Sequence, residues 1–252
     1  TISSSCIPKE FNGYKIAQLS DIHAGSFALS TETLRKMSRL TNKQHPDIIL
    51  FTGDLVNASP NELDPFEQIL SSLHAPDGIL SVLGNHDYCF YTHYHGKGNP
   101  KKSLKELIKR ENRFGWDVLR NENHIIKRGE SQIAIIGVEN DGKPPFPSYS
   151  DLPKAIKGTE NCLFRILMSH DPSHWRREIL PESDIQLTLS GHTHAAQLKI
   201  GHLTPARLAY REWGGLYAQN GRFLYVSDGI GGTFPFRFGA WPAVDIITLE
   251  KN

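Results

Sequence analysis

Two histidines with one residue between them directly follow a strongly β-forming run of this sequence. The run, 184–189, leads through Ser190 and Gly191 to His192 and His194. In an extended chain the side chains of residues i and i+2 point to the same side, so we expect both imidazoles to face one point. Neutral imidazole is the commonest metal-ligating side chain. A solvated turn is the alternative, and a metal site requires matching ligands from other parts of the chain.

Four other predicted strands run into turns that carry Asp, Asn or His. The blocks are Asp21-x-His23 after strand 14–20, Gly53-Asp54 after strand 47–51, Gly84-Asn85-His86-Asp87 after strand 79–83 and Ser169-His170-Asp171 after strand 164–168. Binding sites of parallel α/β sheets form beyond the carboxyl ends of the strands, where these side chains would converge. Any one block is equally well explained as an ordinary turn. Their repetition at successive strand ends favours one shared site.

The elements that position these blocks alternate between strands and helices in the first half of the chain. One helix is predicted to begin at Ser30 or Thr31 and to bury a stripe that runs from Leu34 to Leu40, and another helix spans about Glu62 to Leu73. From Trp116 onward, short strands with short connections predict antiparallel hairpins that begin a second sheet. The pattern predicts an α/β fold. Because we find no repeat and no linker, we expect one domain over residues 1–252.

The composition supports a folded core and bears on possible partners. Lys and Arg total 28 against 27 Asp and Glu, so the net charge of +1 gives no electrostatic reason to expect nucleic acid or an anionic membrane as the main partner. The three cysteines include no Cys-x-x-Cys pair and indicate neither a disulfide framework nor a zinc knuckle. No apolar run approaches the roughly 18–20 residues that span a bilayer. Because the chain begins at Thr1 without Met, we expect a processed protein or an excised domain, either of which can lack an N-terminal signal or membrane segment.

The order of the blocks resembles the calcineurin-like metallophosphoesterase superfamily over nearly the whole chain. No single block is specific, but five of them in this order, each at a predicted strand end, form a strong signal. The resemblance implies an α/β sandwich of two mixed β-sheets flanked by α-helices. It also implies hydrolysis of phosphoester bonds at a dinuclear metal centre.

The ligand pattern of the superfamily implies two metal positions that share one carboxylate. By this resemblance one metal is held by Asp21, His23, Asp54 and His194, and the other by Asp54, Asn85, His170 and His192. A carboxylate suits the shared position because it offers two oxygens and a negative charge between two cations. We expect two divalent ions, with Mn²⁺ placed first and Fe or Zn²⁺ as alternatives, since mixed nitrogen and oxygen donors accept all three.

The two residues after Asn85 are predicted to assist catalysis. His86 is outside the ligand set of the superfamily, and it is placed to donate to a phosphoryl oxygen or to protonate the leaving alkoxide. A buried, hydrogen-bonded histidine is the alternative. Asp87 is expected to orient His86, with a turn cap as the alternative.

One departure from a superfamily motif and three sequence segments indicate which branch of the superfamily the chain resembles. The protein-serine/threonine phosphatases of the superfamily carry Gly-Asp-x-x-Asp-Arg-Gly, but Asn57 and Ala58 stand at the second acidic and the arginine position here, which argues against that subgroup. The segments NGYKIAQLSDIHAGS, GNHDY and GGTFPFRFGAWPAVDIITLE resemble the bacterial YaeI/YkuE-like branch. That branch implies phosphodiester or pyrophosphate bonds of lipid-like substrates. It also implies a location at the bacterial cell envelope or membrane, with the cytoplasm as the alternative.

Three aromatic loops fit a lipid-like substrate. They are Tyr88–Tyr94, Leu203–Tyr217 and Phe234–Trp241, and they form either an apolar rim or simple packing on the sandwich. Within them, Tyr88, His93 and Arg237 are predicted substrate contacts. For Arg237 the reason is that a guanidinium can bind a phosphate with two hydrogen bonds. We therefore predict a phosphodiesterase acting on a phosphoester-containing small molecule or lipid, with peripheral membrane contact and without a nucleic-acid partner. A phosphomonoesterase, a nuclease and a metal-free binding scaffold are the alternatives.

Overall fold

The computed structural model describes residues 1–26, 29–91 and 99–252. Its strands are β1 (Ile2–Ser4), β2 (Lys15–Leu19), β3 (Ile48–Phe51), β4 (Ile79–Ser81), β5 (Trp116–Val118), β6 (Glu122–Arg128), β7 (Ser131–Gly137), β8 (Phe164–Met168), β9 (Leu187–Ser190), β10 (Gly215–Gln219), β11 (Arg222–Val226) and β12 (Asp245–Lys251). They form two six-stranded sheets, in the orders β1-β12-β2-β3-β4-β5 and β10-β11-β9-β8-β7-β6. Strands β2 to β5 are parallel, as are β7, β8, β9 and β11, whereas β12, β6 and β10 add antiparallel pairings.

The helices follow local capping signals. They are α1 (Thr31–Lys43), α2 (Glu67–Leu70), α3 (Pro100–Phe114), α4 (Leu152–Ile156) and α5 (Leu180–Glu182), with 3₁₀ turns at Lys9–Phe11, Pro60–Leu63, His194–Gln197 and Pro205–Leu208 and a π turn at Trp175–Ile179. The Ser30 side chain accepts the Thr33 N–H at the start of α1, and Gly115 ends α3 in the left-handed conformation. Within the described ranges, no helix combines the length and the hydropathy that a membrane crossing requires.

Strand side chains alternate between two cores. In β3, Ile48 and Leu50 point into the core between the two sheets, whereas Ile49 and Phe51 join the core beneath α1, α2 and α3. In the second sheet, Ile133 of β7 likewise faces the inter-sheet core and Ala134 faces an outer core. Strands covered on both faces read as continuous apolar runs, which explains their sequences. The predicted α/β sandwich of two mixed sheets flanked by helices is confirmed.

Three expectations about individual elements were wrong. The helix expected from Glu62 to Leu73 is broken into the turn Pro60–Leu63 and the single turn of α2, because Pro65 has no N–H to continue the ladder. Leu40 is 41% exposed rather than buried. Trp116 does not begin the second sheet, since β5 pairs in parallel with β4 in the first sheet.

A buried acid on α3 makes a prediction about stability. Glu111 is 1% exposed and accepts a hydrogen bond from the Ser81 hydroxyl. Burial and the nearby negative charge of Asp87 raise the pKa of Glu111 from 4.5 to about 8. Between those two values the folded protein retains a proton that the unfolded chain has released, so this residue makes the fold less stable as pH rises, by about 1.4 kcal/mol per pH unit.

Glu111→Gln should therefore flatten the fall in unfolding free energy between pH 5 and pH 8. Its unfolding free energy should exceed that of the wild type most at the alkaline end of this range. Urea unfolding of both proteins at matched pH values measures the difference. Glu130→Gln, at an exposed turn, is the matched control and should follow the wild type. Parallel pH curves for Glu111→Gln and the wild type would contradict the prediction.

Candidate metal centre

The polar blocks of the sequence meet where the carboxyl ends of both sheets lie side by side. Strands β2, β3 and β4 of the first sheet and β8 and β9 of the second each lead into one block. The ligand atoms form two main groups, each with all atoms within 4.8 Å of one another: Asp21, His23 and His194, and Asp54, His170 and His192. These groups correspond to the two positions implied by the resemblance. The structure thus brings the histidines and carboxylates of the predicted ligand set together.

Asp54 lies between the two groups. Its Oδ2 atom is 3.1 Å from His170 Nε2 and 3.6 Å from His23 Nε2. On the other side, His194 Nε2 is 3.1 Å from His23 Nε2 and 3.3 Å from Asp21 Oδ1. Ligand atoms about 2.0–2.2 Å from one ion lie roughly 3.0–3.5 Å apart. These spacings are compatible with donors arranged around cations, and Asp54 lies between the two groups.

The backbone reaches this arrangement differently from the extended geometry that we expected. The residues Asp21 (φ 53°), His23 (φ 49°), Asp54 (φ 58°), His192 (φ 72°) and His194 (φ 49°) all have left-handed φ values. The convergence of side chains at i and i+2 was thus predicted for the wrong reason, since these residues follow the strands instead of continuing them. Non-glycine residues in this region cost about 1–3 kcal/mol each and cluster at functional sites.

Two glycines allow the loops to touch. A Cβ atom on Gly191 would lie 2.0 Å from Ser20 Oγ and 2.2 Å from Asp21 Oδ2, and one on Gly84 would lie 2.2 Å from Asp54 Oδ1. The His86 N–H donates to this same Asp54 oxygen at 2.8 Å. Any side chain at either glycine would push apart the loops that carry the ligands.

Hydrogen bonds behind the imidazoles select the nitrogen that faces the site. His23 Nδ1 is 2.7 Å from Asn57 Oδ1, and His170 Nδ1 is 2.7 Å from the Thr52 carbonyl oxygen. Both partners are acceptors, so each Nδ1–H is donated to them and each Nε2 faces Asp54. Such partners fix ring orientation and raise ligand basicity. Asn57, which the sequence marked only as a departure from a protein-phosphatase pattern, is one of the site residues that sequence reasoning missed.

Burial keeps three of the imidazoles neutral. It lowers the pKa of His23 to about 3, and it lowers the pKa of His192 and of His194, the last of these assisted by the positive charge of Arg237. A metal can bind only the unprotonated ring. Three of the four predicted histidine ligands are thus ready for a metal at neutral pH.

Asp54 and His170 form the charged pair of the site. Burial opposes ionisation of Asp54, but the charges of His170 and His86 hold its pKa well below the ordinary value. Burial alone would lower the pKa of His170, yet the Asp54 carboxylate raises it to about 10. The Asp54 carboxylate is thus a buried anion that attracts a cation.

One buried atom tests whether the site fits metal ions. Asn85 Oδ1 is buried and accepts no hydrogen bond in the described protein. The Asn85 amide nitrogen donates to Tyr91 at 3.1 Å, which leaves the oxygen as the free ligand atom. Unpaired buried acceptors are costly, and metal coordination removes that cost. The donor set of carboxylate, amide oxygen and imidazole fits two divalent cations.

His86 lies beside the groups and borders the cleft. Its Nδ1 is 2.8 Å from the Asn57 carbonyl oxygen, which leaves Nε2 as the nitrogen available for chemistry. The ring packs edge-on against His23, with 4.8 Å between the centroids. His86 is also close enough to His23 and Asp54 to be counted with them as a possible ligand, so its catalytic role stays a prediction.

Asp87 does not orient His86. Its Oδ2 accepts the N–H groups of Asp54 and Gly84, and its Oδ1 accepts those of Leu55 and Val56, at 2.8 to 3.2 Å. Burial and the charge of Asp54 raise its pKa to about 7, against these hydrogen bonds. Asp87 therefore joins the two loops after β3 and β4, and this turn-capping role replaces the orienting role that we favoured.

The predicted substrate contacts have other partners or lie outside the described residues. Tyr88 is 4% exposed, accepts the Asn140 N–H and packs on Tyr149, so we assign it a structural role instead. The Arg237 guanidinium donates to the carbonyl oxygens of residues 228, 231 and 240, so a phosphate would have to displace these bonds. His93 lies outside the described residues and stays a prediction.

The site opens into a cleft of about 450 Å³. Polar residues on its floor include Asp54, Asn85 and His86, and its walls include Phe146 and Phe234. Among the described residues that line it there is no lysine or arginine. The cleft thus combines a polar, metal-competent floor with largely apolar walls.

Tyr210 is a second residue that sequence reasoning missed. Its hydroxyl is 2.6 Å from His192 Nε2, and Asp171 Oδ2, buried and without a hydrogen-bond partner, is 3.8 Å from the same nitrogen. The Asp171 carboxylate can only accept, so it favours a proton on Nε2, which the Tyr210 oxygen can then accept; Nδ1 is left as the ligand nitrogen. No motif in the sequence marks Tyr210, because it comes from an irregular loop.

Tyr210→Phe should weaken metal binding by about 10–100-fold, because partners behind a ligating histidine typically contribute that much. Titration of metal-free protein with Mn²⁺ in a calorimeter measures the affinity directly. Tyr149→Phe removes a hydroxyl from a residue that is 47% exposed and should bind as the wild type does. Equal affinities for Tyr210→Phe and wild type would show that the Tyr210 hydroxyl does not set the His192 tautomer.

A further group of Asp141, His174 and Glu178 lies apart from the site. Arg177 donates to Asp141 Oδ2 at 2.7 Å, and His174 Nε2 is bonded to Glu178. Both carboxylates of this group thus already have hydrogen-bonding partners. We assign it to holding the turn 175–179 against residue 141.

The chain is similar to known phosphoesterases along most of its length. Residues 14–196 match the family model described as calcineurin-like phosphoesterase. The uncharacterized metallophosphoesterase YkuE of Bacillus subtilis is 31% identical over 100% of this chain and 84% of its own length. The UDP-2,3-diacylglucosamine pyrophosphatase LpxG of Chlamydia trachomatis is 28% identical over 94% of this chain and 85% of its own. The predicted resemblance to the superfamily and to YkuE is confirmed.

A solved structure supports the fold. The protein TT1561 of Thermus thermophilus superposes with a TM-score of 0.53 and 15% identity, covering 86% of this chain and 90% of its own. At that identity the likeness concerns architecture alone.

Proposed function

This chain belongs to the calcineurin-like phosphoesterase family, and we propose that it is a metal-dependent phosphodiesterase that cleaves a phosphodiester or pyrophosphate bond of a lipid-like substrate. The observation that carries the proposal is the pair of ligand groups with Asp54 lying between them, and the unpaired oxygen of Asn85 beside them. We propose that residues 1–252 act as one domain.

The proposed ligands are those implied by the superfamily. Asp21, His23, Asp54 and His194 would hold one ion, and Asp54, Asn85, His170 and His192 the other. Two bound ions lower the pKa of a water and polarise the phosphoryl oxygens. We place Mn²⁺ first and Fe or Zn²⁺ as alternatives, since the donors combine nitrogen and oxygen.

The residues of the chain then position the substrate. The backbone bonds to Asp54 and Asp87 hold the loops rigid, so the ligands need no rearrangement during the reaction. His86 donates a proton from Nε2 to the phosphoryl oxygen or to the leaving oxygen. The apolar walls restrict access of bulk water, which strengthens these interactions.

The cleft favours a diester over a monoester. A terminal phosphate carries up to two negative charges, and the described lining residues offer no lysine or arginine for it. A diester carries one negative charge and two organic groups, which suit the walls formed by Phe146 and Phe234. The similarity to LpxG, whose name describes a pyrophosphatase of a diacylated nucleotide sugar, supports a lipid-like substrate. We further propose a location at the cell envelope or membrane.

Hydrolysis of bis(p-nitrophenyl) phosphate and of p-nitrophenyl phosphate, with Mn²⁺ and then with chelator, tests the proposal. We expect diester cleavage that chelator abolishes, and little monoester cleavage. Preference for the monoester would favour a phosphatase, and salt-sensitive cleavage of DNA or RNA would favour a nuclease. Protein that cannot acquire metal would favour the binding scaffold.

A further inference from the structure

Two loops beside the cleft expose most of the large apolar side chains on the described surface. Eight of the thirteen such residues lie in loop 197–211 and loop 229–244. We call these eight the apolar platform: Leu198, Ile200, Leu203, Leu208, Phe234, Phe236, Phe238 and Trp241, which are between 37% and 94% exposed. Contiguous apolar surface of this kind marks an interaction site.

The two loops form one rigid unit. The Lys199 N–H donates to the Phe238 carbonyl oxygen at 2.8 Å, and the Phe238 N–H donates to the Gln197 carbonyl oxygen at 2.9 Å. Gly239 lies so close that a Cβ atom there would be 1.7 Å from the Lys199 carbonyl oxygen. The exposed side chains are thus held outward by a fixed backbone, so docking would not have to order them first.

Buried polar side chains satisfy the backbone of this unit from within. The Gln197 amide donates to the carbonyl oxygens of Phe234 and Phe236 and accepts the Phe234 N–H. The Arg237 guanidinium donates to three more carbonyl oxygens of the same loop region. A surface can enter an apolar medium only if its backbone groups are paired internally. These contacts therefore prepare the platform for an apolar medium.

The charge around the platform is positive. Loops 197–211 and 229–244 contain no Asp or Glu, but they contain Lys199, Arg207, Arg211 and Arg237. Asp228 pairs with Lys199 at 3.0 Å, and Glu212, 4% exposed, pairs with Arg176 and lies 3.7 Å from Arg211. The exposed positive charge of the two loops therefore rests on Arg207 and Arg211. The overall charge of +1 gave no reason to expect an anionic partner. The positive charge of these two loops does give a reason to expect an anionic partner at this surface.

The platform is continuous with the mouth of the cleft. Phe234 belongs to both, and Pro205, Ala206 and Ala209 of the first loop also line the cleft beside Asp54. A folded protein seated on the platform would cover this mouth, whereas a fluid bilayer can deliver a lipid headgroup into it. We propose that the apolar platform docks this protein on an anionic lipid bilayer, an inference that rests on the proposed function because the bilayer would hold its lipid-like phosphoester. Apolar burial and attraction to anionic headgroups then act together.

Co-sedimentation of the full chain with vesicles tests the proposal. One set is phosphatidylcholine alone and the other contains about 30% phosphatidylglycerol, a content high enough for a negative surface potential. We expect binding to the anionic vesicles, and at least about a tenfold loss of binding for the variant Leu208→Ser/Phe236→Ser/Trp241→Ser. None of these three residues lines the cleft, so cleavage of the soluble diester should stay at the wild-type rate. Leu163→Ser/Leu216→Ser, 69% and 50% exposed outside the platform, is the matched control and should bind like the wild type.

A second variant tests the charge. Arg207→Glu/Arg211→Glu should remove the preference for anionic vesicles. Wild-type protein that sediments with neither vesicle, or platform variants that bind as well as the wild type, would overturn the docking proposal. A dimer in solution that the platform variant dissociates would assign the surface to a second copy of the chain instead. Diester turnover is measured without vesicles. Wild-type protein that binds the anionic vesicles but does not cleave the soluble diester would therefore overturn only the proposed function.

Discussion

Replacing Asp54 with asparagine should lower diester hydrolysis by more than about a thousandfold. Asp54 Oδ2 lies 3.1 Å from His170 Nε2 and 3.6 Å from His23 Nε2, so its charge serves both ligand groups. Asparagine keeps the size of the side chain but removes the negative charge between two cations. Losses of about 10³-fold are the scale of removing a main electrostatic contribution to catalysis.

The readouts for Asp54→Asn are turnover of bis(p-nitrophenyl) phosphate and metal content after dialysis. We expect both to fall, because the shared carboxylate is needed for either ion to be held tightly. Asp117→Asn makes the same substitution at an exposed position of β5 and should change neither. Full turnover and two bound ions in Asp54→Asn would refute the shared-carboxylate arrangement.

Replacing His86 with alanine should slow hydrolysis by about 10²–10⁴-fold while leaving the metal content unchanged. His86 lines the cleft, and its Nδ1 is held by the Asn57 carbonyl oxygen at 2.8 Å, so a backbone hydrogen bond positions the ring. If His86 were a metal ligand, its loss would lower metal content together with activity. Measuring both quantities separates the two roles.

The leaving group distinguishes two catalytic roles of His86. p-Nitrophenolate departs without a proton, whereas an alkoxide needs one, so a general acid matters more for an alkyl diester. We expect His86→Ala to slow an alkyl diester more than the p-nitrophenyl diester. Equal losses would assign His86 to contact with the phosphoryl oxygen. His124→Ala, at an exposed position of β6, is the control and should leave both rates unchanged.

The sequence predicted that the polar blocks at the strand ends would meet, but not the reason that they converge. His192 and His194 follow a strand, and we expected extended geometry to align them. In the structure their φ values are 72° and 49°, and loops from both sheets bring them to Asp21 and Asp54. Strand propensity is local, whereas left-handed backbone at the end of a strand is imposed by neighbouring loops that are distant in sequence.

The hydrogen-bond partners of Asp87 and Arg237 were the least predictable feature of the site. Asp87 was expected beside His86 but accepts four backbone N–H groups from the loops after β3 and β4. Arg237 was expected to bind phosphate but donates to three carbonyl oxygens of its own loop region. Several backbone groups could pair with a polar side chain in a loop, and only the packing of the loops determines which carbonyl or amide lies within reach.

The sequence by itself determined the α/β architecture and the set of polar residues at the strand ends, because apolar runs and turn residues act over short distances. The tertiary structure alone decided the hydrogen-bond partners behind the imidazoles, which are Asn57 for His23 and Tyr210 for His192. It also decided which apolar side chains stay exposed. The sequence predicted Leu40 to be a core residue, and it allowed the loops of the apolar platform either to pack on the sandwich or to form an exposed rim. In the structure all of these side chains are exposed, because the sheets and helices leave no layer above them. Burial depends on what packs against a residue, and that is a property of the assembled fold.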